Sequence, residues 1–171
     1  MVARGVVPDR VASIEAFVVP LHLKMIGQGV DRNDRGSFMK SLSYQMAIAA
    51  LMPEHRFDLG PAEGIPAPAI DDFMRRISVS ADQELLAPYP KQWPARIVVL
   101  THDGARHVCR VDDVPGDPAR PIELSELVEK FSRIVAAAGV AGAGRFWNGA
   151  LRALKPDGGE ALPAPPFRLG A

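Results

Sequence analysis

The stretch ARIVVLTHDGARHVCRV, residues 95–111, holds two β-rich runs on either side of Asp103-Gly104. Asp-Gly between such runs is favoured by a two-residue type I′ hairpin turn, because both central positions need a positive φ. The pair of runs therefore predicts an antiparallel hairpin in which His102 faces Ala105 and Leu100 faces His107. His102, His107 and Cys109 then project from one face, together with Val98, Leu100 and Val111. Three potential ligands could make a metal site, but the same face is otherwise apolar and reads as packing, so no metal is expected. Cys109 likewise reads as a small core hydrophobe rather than a nucleophile activated by His107.

Outward from the hairpin, ASIEAFVV (12–19) follows a Pro-Asp turn signal and predicts a first strand with imperfect alternation. A Gly-rich loop, GQGVDRNDRG (27–36), leads to a helix expected over 37–52, capped by Ser37 or Asp34 and stopped by Pro53. Its stripe Phe38/Leu42/Ala49 is expected to pack on the sheet, and the adjacent stripe of Ser37, Ser41, Tyr44, Ile48 and Leu51 to stay partly accessible. AIDDFMRRI (69–77) predicts a short helix running into the strand ISVSAD. LSELVEKFSRIVAAAG (124–139) predicts an amphipathic helix capped by Ser125 and ended by Gly139, and RFWNGALRAL a further helix. The Pro/Gly-rich tail, 156–171, is expected to be poorly ordered. Strands and helices in this mixture, with a hairpin in place of βαβ alternation, predict an α+β two-layer sandwich with a mainly antiparallel sheet, followed by C-terminal helices.

The chain of 171 residues can bury one domain's core plus an appendage. Twenty Lys+Arg balance twenty Asp+Glu, which removes the electrostatic signature of nucleic-acid or anionic-membrane binding. One cysteine and no long apolar run fit a cytoplasmic protein. Neither GQGVDRNDRG nor AGVAGAG (138–144) has the pattern of a nucleotide-binding loop: the first lacks the Gly-Lys-Ser/Thr ending and the second follows a helix rather than a strand. Asp71-Asp72 and Arg75-Arg76 have the helical spacing of i,i+4 ion pairs on a solvated face.

Tyr44 stands out among the remaining polar residues. Its phenol can donate and accept, so it can pack as an ordinary buried tyrosine or serve as an acid toward a departing oxygen.

Taken in order, VVPDRVASIEAFVV, SLSYQMAIAAL, IDDFMRRISVSAD, the hairpin and PGDPARPIELSELVEKF resemble the MmgE/PrpD family of 2-methylcitrate dehydratases, cis-aconitate decarboxylases and iminodisuccinate epimerases. The resemblance runs over about residues 5–133. It implies that residues 1–133 form the α+β lid of a two-domain enzyme and that 134–155 are helices returning to a helical domain. It also implies a cofactor-free and metal-free abstraction of a proton α to a carboxylate in a cleft between lid and helical domain. Tyr44 matches the lid's catalytic tyrosine, with Lys40, Ser41 and Ser37 as substrate-binding neighbours. Met39-Lys40 stand where the family often has Arg-His. The expected partners are a small polycarboxylate and either a helical-domain subunit or further copies of the chain, and the isolated chain is expected to be inactive. The rival reading is a non-catalytic α+β module that binds a small carboxylate or self-assembles.

Overall fold

A computed structural model describes residues 6–55, 67–139 and 142–153. Two compact units divide after Pro121.

The first unit is built on β1 (Val11–Val18), one of the two inner strands of its sheet. In chain order α1 (Pro20–Ile26), α2 (Arg35–Lys40), α3 (Leu42–Leu51) and α4 (Ala67–Met74) come next, before β2 (Ile77–Ala81), β3 (Ala95–Thr101) and β4 (Arg106–Val111). The sheet order is β2-β1-β3-β4. β2 lies parallel to β1, and the other two pairings are antiparallel, so the expected α+β class with a mostly antiparallel sheet is found. Ile14 sits opposite both Ile77 and Val99, and Ala16 opposite both Val79 and Ile97, which lines one face with apolar side chains. A register shift between Val11 and Ser13 explains the imperfect alternation of this strand. The extra residue lets Val11 and Ile14 both be buried, three positions apart.

Helices cover that face. Phe38, Tyr44, Ala47, Ile48, Ile70 and Phe73 join Val11, Ile14 and Val99 in one core cluster. Burying each large apolar side chain there contributes about 1.5–3 kcal/mol. The helix expected over 37–52 is instead two helices, because Ser41 leaves helical geometry at φ −87° and ψ 105°. Its Oγ accepts the Tyr44 N–H at 3.3 Å and so caps α3, while Asp34 caps α2 by accepting the Gly36 N–H at 2.8 Å. The break resets the helical phase, so the expected stripes are wrong. Ala49 is exposed and Leu42 half-buried, whereas Tyr44, Ala47, Ile48 and Ala50 face inward. Helix α1 was not foreseen; it starts with Pro20 at a first-turn position, where the missing N–H costs nothing.

The hairpin is real but its register differs by one from the expected one. Thr101 N–H donates to Ala105 O at 3.0 Å, Gly104 N–H donates to Thr101 O at 2.9 Å, and only Gly104 of the loop has a positive φ, 83°. The loop thus has three residues, a tight turn closed by a glycine bulge, in place of a two-residue I′ turn. His107 pairs with Val99 and Cys109 with Ile97, His102 is left in the exposed turn, and Cys109 is exposed on the edge strand β4 rather than packed in the core as expected.

The second unit pairs α5 (Leu124–Ala137) with α6 (Ala143–Ala153). Glu123, not Ser125, begins α5, its N–H donating to Glu126 Oε2 at 3.4 Å. Phe131 and Trp147 stack with ring centroids 4.8 Å apart. That contact leaves Trp147, with Phe146 and Leu151, half-buried, while among the described residues of this unit the large apolar side chains left exposed are Leu124 and Leu127 of α5. The expected tail, 156–171, lies outside the described residues. Among the described residues no helix is long and apolar enough to cross a membrane.

Candidate active site

A recess of about 90 Å3 opens beside α3, lined by Val30, Arg32, Phe38, Tyr44, Ala67, Ile70 and Asp71. Three segments converge there for local reasons. The loop before α2 is folded back on itself: Asp31 N–H donates to Ser37 Oγ at 3.0 Å, and Asn33 N–H to Asp31 Oδ1 at 2.9 Å. The Ser37 hydroxyl also lies 2.7 Å from the carbonyl oxygens of Asp31 and Asp34. This knot carries Val30 and Arg32 to the recess. The cap at Ser41 starts α3 at the phase that turns Tyr44 toward it, and α4 brings Ala67, Ile70 and Asp71.

The walls are apolar and the rim is charged. Phe38 meets Tyr44 edge to face, with centroids 5.0 Å apart and planes at 74°, the arrangement ring quadrupoles favour. Tyr44 is only 4 % exposed, which corrects the expectation of an accessible stripe: it lines the recess as part of the core. Arg32 Nη2 bridges both carboxylate oxygens of Asp71, at 2.7 and 2.6 Å, with both side chains about half exposed.

The four residues singled out in the sequence are thus placed differently. Tyr44 lines the recess and Ser41 stands fully buried behind it as the α3 cap. Ser37 is committed to the loop knot, and Lys40 is exposed at the end of α2, outside the lining. Arg32 and Asp71 were missed. Nothing local in GQGVDRNDRG marks Arg32, and the i,i+4 pair that the spacing predicts for Asp71 does not form: Asp72 takes Arg75 at i,i+3, and Arg76 donates to Val11 O at 3.0 Å. Nor does the hairpin gather ligands; among the described residues no group of three His, Cys, Asp or Glu side chains could hold a metal.

A family model of the MmgE/PrpD C-terminal domain matches residues 2–145. The chain belongs to the MmgE/PrpD family. The MmgE/PrpD match spans all four strands and α1 to α5, so it includes every residue that lines the recess. No curated protein matches the chain.

Proposed function

We propose that the chain supplies the lid portion of an MmgE/PrpD lyase or isomerase acting on a small polycarboxylate, in the manner of a 2-methylcitrate dehydratase. The observation that carries this reading is the place of Tyr44: a phenol on a rigid, capped helix, lining an apolar recess with a guanidinium at its rim. A phenol keeps its proton at neutral pH and can pass it to a departing oxygen or hydrogen-bond a substrate carboxylate. Holding that group on a helix rather than a loop fixes its distance to the reacting atoms. In this mechanism a base outside these residues removes the proton α to a carboxylate. Tyr44 protonates the leaving hydroxyl, or orients the carboxylate where only a proton returns. Ser41 acts behind Tyr44 through the α3 cap, and the exposed Lys40 attracts the anion to this side of the molecule. No metal or cofactor takes part.

One phenol cannot supply both proton abstraction and leaving-group protonation, so the chain works with a helical half contributed from elsewhere. The test is to assay the purified chain alone and mixed with an MmgE/PrpD helical domain, on methylcitrate, cis-aconitate and iminodisuccinate, following substrate loss by NMR. Turnover should appear only in the mixture. Turnover by the chain alone, abolished by a point change within it, would overturn the division of labour. A mixture that binds the acids without turning them over would favour the non-catalytic module.

A further inference from the structure

The Arg32–Asp71 pair bears on what the recess accepts, and the inference rests on the functional reading above. We infer that Arg32 is the carboxylate anchor of the Tyr44 recess and that Asp71 occupies it as a stand-in, to be displaced by one carboxylate arm of the ligand. Three observations lead there. The pair joins residues 39 positions apart, one on a loop and one on α4, and both line the same recess. Among the described residues, only Nη2 of the guanidinium is engaged, bridging two carboxylate oxygens, which leaves the other nitrogens without a partner there and the two-nitrogen fork unused. Both side chains are about half exposed, at 53 % and 43 %, so solvent screens the pair and an incoming carboxylate can compete with it.

The size and lining of the recess define the arm. A volume of about 90 Å3, smaller than the roughly 150 Å3 apolar cavity that admits benzene, suits one carboxylate and its adjoining carbon rather than a whole tricarboxylic acid. Val30, Phe38, Ala67 and Ile70 give that carbon apolar walls. The ligand class is therefore an aliphatic acid that inserts one arm, with its remaining carboxylates outside. Exchange of one carboxylate for another on Arg32 adds a negative charge to the rim and turns Asp71 out to water, where its half-exposed carboxylate is screened.

The experiment is an NMR titration of the full 171-residue chain with cis-aconitate, with inorganic phosphate as a non-carboxylate anion, read at the amides of residues 30–38 and 67–71. Saturable shifts with cis-aconitate are expected. Arg32→Gln should weaken binding by roughly tenfold or more, as loss of a charge-assisted pair does, and Arg32→Lys by less, since it keeps the charge but not the fork. Asp71→Asn should tighten binding severalfold, because the competitor is gone. If Asp71→Asn weakens binding as much as Arg32→Gln, Asp71 positions the arginine and the stand-in is overturned. Equal affinity for phosphate overturns the carboxylate assignment. No shifts in either the parent or Asp71→Asn overturn the anchor itself, while turnover in the reconstituted mixture would still support the lid reading, so the two failures are distinguishable.

Discussion

Two arginine–aspartate pairs in the first unit have nearly the same exposure and very different surroundings. At the hairpin tip, Arg10 pairs with Asp103, with side chains 56 % and 52 % exposed; at the recess, Arg32 pairs with Asp71 at 53 % and 43 %. Asp103 also accepts the Thr101 hydroxyl and the Ala105 N–H within the tip, and the His102 N–H donates to Arg10 O at 2.9 Å, so two bonds tie the tip to Arg10, just before β1, and two more hold the Asp103 carboxylate in place. Among the described residues the Asp71 carboxylate has Arg32 alone as a partner, beside the recess. Burial does not separate the two pairs. What does is how many other donors an aspartate must abandon to let its arginine go: several at the tip, none at the recess. The first pair serves the fold and the second is available to a ligand.

The largest expected effect comes from the wall that both roles share. Phe38 is 3 % exposed, belongs to the core cluster and lines the recess. Phe38→Ala should cost about 3–5 kcal/mol in urea denaturation. Arg10→Ala at the tip should cost no more than ~1 kcal/mol. Near-equal losses would mean that the recess is a surface feature and not an indentation of the core.

Next in size is Tyr44→Phe. In the reconstituted enzyme it should lower turnover by ~10²-fold, the scale of a lost proton donor, while stability stays within about 1 kcal/mol because the ring still packs on Phe38. Unchanged turnover would make Tyr44 a core residue only, as its burial alone would allow.

Much of this first unit could be read from residues, and the misses share one cause. Strand β1, the hairpin runs, α4 and β2 are local patterns of two- or 3.6-residue period, and all were legible. Tyr44 was picked out because its neighbours matched a family pattern and because a phenol in an apolar helix is chemically conspicuous. The hairpin register was not legible, since Asp-Gly suits both a two-residue turn and the three-residue loop with a glycine bulge that forms here. The bonds that choose between them, from Arg10 to Asp103 and His102, arrive from β1's start. Arg32–Asp71 is likewise a contact across 39 residues, and an acidic residue with several arginines in reach on paper does not reveal its choice. Ser41 looked like one more polar position on a continuous helix; its role as a joint appears only in its dihedrals.

The glycine at the tip contributes on a smaller scale. Gly104 sits at φ +83°, and a Cβ built there meets nothing within 4 Å, so any cost of Gly104→Ala is backbone strain rather than collision. About 1–2 kcal/mol is expected, read from the urea midpoint. A neutral substitution would show that the loop shifts to another turn type, and with it the register that separates His102 from His107.

The smallest effect is a pH dependence peculiar to the tip. The Thr101 hydroxyl, then the Ala105 N–H, then Arg10 favour the charged form of Asp103 and hold its pKa at about 2, below the ordinary 3.8. The folded value lies under the unfolded one, so the contribution is fully present above the unfolded value and is lost as pH falls through the folded value. Between those two pH values the unfolded chain takes up the proton first, and stability declines. Asp82, held low first by its bond from Arg96, adds a slope of the same sign and must be left in place as the common background. Asp103→Asn, which cannot ionise, should therefore be less stable than the parent at neutral pH. The difference should shrink below about pH 4 and vanish as pH passes about 2. Urea midpoints of both proteins from neutral pH down to about pH 2 measure it, in low salt where exposed pairs are least screened. A difference that stays constant with pH would assign the tip's stability to the shape of the Asp103 side chain and not to its charge, and the donors around Asp103 would then no longer set it apart from Asp71.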